Sequence, residues 1–113
     1  YNIILKSQIL AIESLKAGIT GAEADAEARK YINSFGYGEY FNHSTGHGVG
    51  LQIHELPRLS KAYRKPLVAG QVVTVEPGVY FPGKFGIRIE DMCAITENGH
   101  VNLTKADKSL IIL

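Results

Sequence analysis

The sequence predicts an α+β fold in which two helices are followed by a mainly antiparallel sheet, and three observations carry that expectation. Apolar residues recur at helical spacing through residues 2–17, a Thr-x-x-Glu capping signal opens a second helical stretch at Thr20, and short β-branched and aromatic runs dominate from Tyr40 onward. The chain has 113 residues, one domain's worth and enough to bury a modest core. It contains no internal repeat, low-complexity tract or second domain.

Taken in order, Ile4, Leu5, Ile9, Ile12 and Leu15 mark the first helix, and Gly18 stands where a left-handed cap would end it. Thr20 and Glu23 form the capping box of a second helix that runs to about Phe35, with Gly36 as its stop. Ala22, Ala26 and Arg29 give this helix a lightly apolar side, and Tyr31, Ile32 and Phe35 crowd its end, the pattern of a helix laid on a sheet. Strands are expected near residues 47–54, 71–76, 86–96 and 100–103, with a last apolar segment at 109–113. Asn98-Gly99 marks a hairpin between the third and fourth, because both residues tolerate positive φ. Residues 56–69 read as a long basic loop with two prolines, a solvated connection or the lining of a substrate entrance.

Composition narrows the function classes. A net charge of +1 with dispersed Lys and Arg gives no electrostatic argument for nucleic acid or an anionic membrane. The hydrophobic runs are short, and the first residues lack the basic region and cleavage site of a signal peptide, so no membrane partner is expected. The single cysteine, Cys93, excludes an intrachain disulfide and suits a reducing compartment, hence a cytoplasmic protein. Lying between Met92 and Ala94, it reads as a buried structural thiol.

Chemistry concentrates in residues 43–55, HSTGHGVGLQIHE, which hold three of the four histidines. Histidine is the commonest neutral metal ligand and the usual proton shuttle near pH 7. Gly46, Gly48 and Gly50 alternate between them, leaving one side of an extended segment open to backbone or substrate. By parity, His47 projects with Thr45 and Val49, and His54 from the opposite side. A bulged structural strand whose imidazoles merely satisfy backbone groups is the bland alternative. Two further anomalies weigh against it. Glu76 interrupts the apolar run QVVTVEPGVYF, where an unpaired carboxylate would be costly. In GIRIEDMCAIT, Arg88 and Glu90 share one strand face and Ile87, Ile89 and Asp91 the other, which suggests an ion pair, a metal, or both. A surface Arg88–Glu90 pair, with Glu76 at a strand end before the Pro77-Gly78 turn, is the structural alternative. One His and two Glu on separate strands form a mixed N and O donor set that suits Mn, Co, Fe or Zn.

The succession TGHGVGLQIHE, VEPGVY and GIRIED resembles the M24 metallopeptidases of pita-bread fold, and among them the Xaa-Pro aminopeptidases and dipeptidases (prolidase-like) more than methionine aminopeptidase. The resemblance spans essentially the whole chain and implies the carboxy-terminal half of a pita-bread fold, residues 1–113 being the carboxy-terminal portion of the catalytic domain. It implies two divalent ions, Mn or Co favoured, with His47, Glu76 and Glu90 as ligands and Glu76 also the general base. It makes His54 the histidine that contacts the scissile peptide and His43 a catalytic-site residue lining the proline pocket. Arg88 and Tyr80 match further substrate-binding positions. The implied substrate is a peptide with proline at its second position, and a homodimer is the family's common assembly. The chain departs from the pattern in lacking the family's two aspartate ligands. Its only aspartates, Asp25, Asp91 and Asp107, do not resemble that pair, so the chain alone is expected to be an inactive fragment that holds no metal pair. A decayed binding module, methionine aminopeptidase and a creatinase-like hydrolase remain as alternatives.

Overall fold

The computed structural model describes all residues, 1–113. Two helices, α1 (Asn2–Ser14) and α2 (Gly21–Ser34), pack on each other, and a single 3₁₀ turn follows at Gly38–Tyr40. Seven strands complete the chain: β1 (Gly46–Gly48), β2 (Glu55–Leu59), β3 (Val72–Val75), β4 (Gly78–Phe81), β5 (Phe85–Arg88), β6 (Asp91–Ile95) and β7 (His100–Asn102). They form a five-stranded antiparallel sheet in the order β2-β1-β3-β6-β7 and a two-stranded sheet of β4 and β5. The α+β architecture is therefore the expected one. No helix is long and apolar enough to cross a membrane.

The core lies between the helices and the larger sheet. Ile4, Ala11, Leu15, Ala24, Ala28 and Ile32 from the helical layer meet Val73, Val75, Cys93 and Ile95 from β3 and β6. Small residues on α2 let it approach closely. Its buried stripe is Gly21, Ala24, Asp25, Ala28 and Ile32, one position removed from the stripe expected around Ala22 and Ala26. The buried Asp25 accounts for the difference, since a charged residue masked the apolar periodicity. The capping box forms as expected: Glu23 N donates to Thr20 Oγ1 at 3.2 Å and Thr20 N to Glu23 Oε2 at 2.7 Å. Gly36 follows with φ +79°.

Several element limits differ from the expected ones. Helix α1 ends at Ser14 because Leu15 turns extended and is buried, after which Ala17 N donates to Thr96 O and Gly18 N to Leu67 O. Gly18, at φ +95°, belongs to that turn and does not cap the helix. Residues 49–54 form no strand; Val49 still donates to Val72 O, but the chain then bends, with Gly50 N bonded to Gln52 O. The expected loop at 56–69 instead begins inside β2, which pairs with β1 through Gly46↔Leu59 and His47↔Arg58. The 109–113 segment forms no strand and Ile111, Ile112 and Leu113 are exposed. The β6–β7 hairpin is present, yet neither Asn98 nor Gly99 has positive φ; Thr96 N closes the turn on Gly99 O at 2.9 Å.

The expected strand at 86–96 divides into β5 and β6, and the division is informative. β3 pairs with β6 up to Val75↔Asp91, and β4 pairs with β5 from Gly78↔Arg88 to Phe81↔Phe85 in the same register. One long ribbon is thus interrupted by two residues on each side, with Glu76 opposite Glu90 and Pro77 opposite Ile89. Ile89 N still donates to Pro77 O at 3.4 Å. A regular ladder would return that bond from residue 77, and proline has no N–H to give. The ribbon opens where the two glutamates stand.

Candidate active site

The glycines of the histidine segment serve backbone packing. A Cβ at Gly46 would overlap Thr74 O, and one at Gly48 would overlap Leu56 O, so β1 fits between β2 and β3 only without side chains at those positions. That close fit places His47 against Glu76. His47 Nε2 lies 3.1 Å from Glu76 Oε1, and both side chains are largely buried. Thr74, two residues before Glu76 on the same face of β3, ties the pair together. Its Oγ1 accepts from His47 N at 3.1 Å and donates to Glu76 Oε1 at 2.8 Å.

The imidazole's orientation is fixed by its other nitrogen. His47 Nδ1 lies 2.9 Å from Gly48 O, and a carbonyl only accepts, so Nδ1 carries the proton. In the neutral ring Nε2 then presents a lone pair to a carboxylate oxygen. Two acceptors aimed at one point need a proton or a cation between them, and a ligating histidine commonly holds its far N–H on a carbonyl in this way. Arg88 reaches the second carboxylate oxygen, with Nη1 3.6 Å from Glu76 Oε2, while half exposed itself. Arg88 therefore pairs with Glu76 and not with Glu90. The reason is register: Arg88 opposes Gly78 and lies diagonally across from Glu76.

His54 joins this group by a route the strand parity did not predict. The bend over residues 49–54 folds it back so that its ring centre is 4.4 Å from that of His47. Glu90 is exposed and makes no ion pair, and no three His, Cys, Asp or Glu side chains surround a common point. His43 packs with Tyr80, their ring centres 5.5 Å apart. Its Nδ1 bonds Ser44 O at 2.8 Å, which leaves Nε2 to accept from Tyr80 Oη at 3.1 Å.

Two further residues, Asp25 and Arg29, hold the segment in place through a pairing not among those expected from the sequence. Asp25 is fully buried and receives Arg29 Nε at 2.8 Å and Arg29 Nη2 at 2.8 Å. It also accepts from Thr45 N and Thr45 Oγ1. Arg29 in turn donates to Phe41 O and His43 O at 2.9 Å each, with its guanidinium 4.0 Å from the Phe41 ring centre. The Asp25-x-x-x-Arg29 spacing was the available signal, since residues four apart meet on one helix face. Away from the site, Cys93 is buried as expected; loss of solvation, then the nearby Asp91, pushes its thiol up to about 11.

A helical layer thus lies on an antiparallel sheet, with a largely buried His–Glu pair and a second Glu opposite the first across the ribbon. The chain belongs to the metallopeptidase family M24, whose model matches residues 1–97. It is 53% identical over 111 residues to the Xaa-Pro dipeptidase of Pyrococcus horikoshii, covering 98% of this chain and 32% of that protein. In structure it is similar to the Xaa-Pro dipeptidase from Bacillus anthracis, with a TM-score of 0.97 and 54% identity over 100% of this chain and 32% of that one. The X-Pro aminopeptidase from Thermotoga maritima superposes with a TM-score of 0.94 and 46% identity, covering 99% and 32%. The fold is thus that of the pita-bread prolidases, and the chain spans about a third of the length of the curated relatives it matches.

Proposed function

We propose that this chain is the carboxy-terminal portion of the catalytic domain of a metal-dependent exopeptidase that cleaves the bond before proline. The observation that carries the reading is the His47–Glu76 contact: an Nε2 lone pair and a carboxylate oxygen 3.1 Å apart, with the opposite Nδ1 tied to a carbonyl. The donor chemistry fits a divalent cation. His47, Glu76 and Glu90 would hold it, and Glu90 would turn inward from directly across the ribbon. Like charges opposite each other in an antiparallel pair are unfavourable, and a cation between them removes that penalty. The carboxylate-rich character of the set favours Mn or Co over a sulfur-preferring ion.

The remaining ligands, two aspartates, would come from elsewhere in the longer polypeptide. All three aspartates of this chain are engaged: Asp25 with Arg29 and Thr45, Asp91 with Lys108 and Asn102, and Asp107 with Ser109. A cytoplasmic location suits the single buried thiol, and a homodimer would be the assembly.

Bound metal would supply Lewis-acid activation of water and of the scissile carbonyl. Glu76 takes the proton from the attacking water, with its carboxylate oriented by Thr74 and drawn toward Arg88. His54, beside the His47 ring, stabilises charge on the carbonyl oxygen. His43 and Tyr80 line the pocket for the pyrrolidine ring, where a tertiary amide offers no N–H and a fixed φ.

A substrate panel tests the assignment. The full-length protein with Mn²⁺ is expected to hydrolyse Ala-Pro and to leave Met-Ala and creatine untouched. Preference for Met-Ala would indicate methionine aminopeptidase, turnover of creatine an amidinohydrolase, and silence on all three a binding module. Comparison of Ala-Pro with Ala-Pro-Gly separates dipeptidase from aminopeptidase.

A further inference from the structure

Gln8 lies on the buried face of α1, with no solvent exposure, and its carboxamide reaches into the break in the ribbon. Gln8 Nε2 donates to Val75 O and to Ile89 O, each at 3.1 Å. Both partners are carbonyls, so the nitrogen's two N–H groups are assigned without ambiguity. These are the residues immediately before Glu76 and Glu90. One of the two carbonyls has a specific need: Ile89 O faces residue 77, whose ring leaves no N–H to complete the ladder. Gln8 supplies the donor that Pro77 lacks.

The arrangement leaves a mark on Gln8 itself. Its Oε1 is buried without a hydrogen-bond partner. An apolar side chain of similar volume would avoid that loss of solvation, but would leave Ile89 O unpaired. Filling the core therefore does not explain an amide at this position; bridging two strands does.

We propose that Gln8 is a positioning residue: by tying Val75 O to Ile89 O it fixes the separation of the two chain positions that carry Glu76 and Glu90. The proposal rests on the reading of those glutamates as metal ligands. Backbone held from the helix side leaves the opposite face of the break to the carboxylates. Without the bridge, the break between the Val75↔Asp91 and Gly78↔Arg88 pairs is spanned only by the long Ile89 N to Pro77 O bond, and the spacing of the two glutamates is held less firmly.

The test is Mn²⁺ affinity, measured by calorimetric titration on the full-length protein. Gln8→Met keeps the volume and removes both donors; Gln8→Asn keeps the amide and withdraws it by one methylene, and is read if the first variant fails to fold. Either is expected to weaken Mn²⁺ binding by about tenfold or more, the usual effect of removing a group that orients a ligand. Adding Pro77→Ala to Gln8→Met returns an N–H opposite Ile89 O and is expected to recover part of the lost Mn²⁺ affinity; recovery of the melting temperature alone would count against the positioning role. Glu76→Gln and Glu90→Gln serve as references. If they weaken Mn²⁺ binding and the Gln8 variants lower only the melting temperature, the positioning role is overturned and the ligand assignment stands. If neither glutamate variant changes Mn²⁺ affinity, the ligand assignment fails and the role of Gln8 fails with it.

Discussion

Glu76 and Glu90 stand opposite each other at the single break in a ribbon that otherwise keeps one register from Val72↔Ala94 to Phe81↔Phe85. Only one of the two is already engaged. Glu76 is largely buried between His47, Thr74 and Arg88, while Glu90 is exposed. If the two glutamates hold a cation as proposed, Glu76 is the preorganised carboxylate and Glu90 the one that must move to it.

Thr74 sets the preorganised half. Thr74→Val preserves shape but removes the acceptor for His47 N–H and the donor to Glu76. We expect a loss of about 1–3 kcal/mol in stability from the unpaired backbone donor. Mn²⁺ affinity of the full-length protein should fall by about 10–100-fold. Thermal melting and calorimetric titration measure the two effects separately, and Thr74→Ser should restore most of both.

Arg29 and Asp25 form the other support. Removing Arg29 leaves Asp25 buried and uncompensated, so Arg29→Ala should destabilise by about 3–5 kcal/mol. Lysine cannot reproduce a two-point grip on the carboxylate together with two bonds to Phe41 O and His43 O, and Arg29→Lys should recover less than half of the loss. Urea unfolding of the three proteins decides it; equal stability would remove the network from the account.

Cys93 should be inert in the folded state. With its thiol pushed up to about 11, on the order of one in a thousand is ionised at pH 8, and the side chain is inaccessible. A thiol-exchange reagent at pH 8 is expected to label the protein only after denaturant is added. Rapid labelling of native protein would contradict the burial.

Acid should erode the start of α2. Bonds from the backbone and then the hydroxyl of Thr20 hold the Glu23 carboxyl below its ordinary value. A group depressed in the folded state contributes stability above its unfolded value and loses it as pH falls through the folded value. The melting-temperature gap between wild type and Glu23→Ala should therefore narrow as pH falls through and below the ordinary carboxylate range. A gap that does not change with pH would show that the box is unformed in solution.

How much of this was legible in the sequence depends on how local the signal is. The α2 capping box, the order of helices before strands, and the roles of Cys93 and Gly36 follow from neighbouring residues, and all four appear as expected. What required the structure was long-range. The folding back of His54 onto His47 defeats strand parity, because residues 49–54 bend away from the sheet. Pairing of Arg88 with Glu76 instead of Glu90 depends on a register no single segment encodes. Gln8 and Asp25 have partners 81 and 20 residues away, at Ile89 and Thr45, which no neighbouring residue signals.

The most direct measurement is Mn²⁺-dependent hydrolysis of Ala-Pro by the full-length protein, with bound metal counted in the same samples, for wild type and His47→Ala. The variant is expected to stay folded, to retain less metal and to lose turnover by at least about 100-fold. Full metal content and near-normal turnover in His47→Ala would contradict the assignment of His47 as a ligand, and with it the reading of this site.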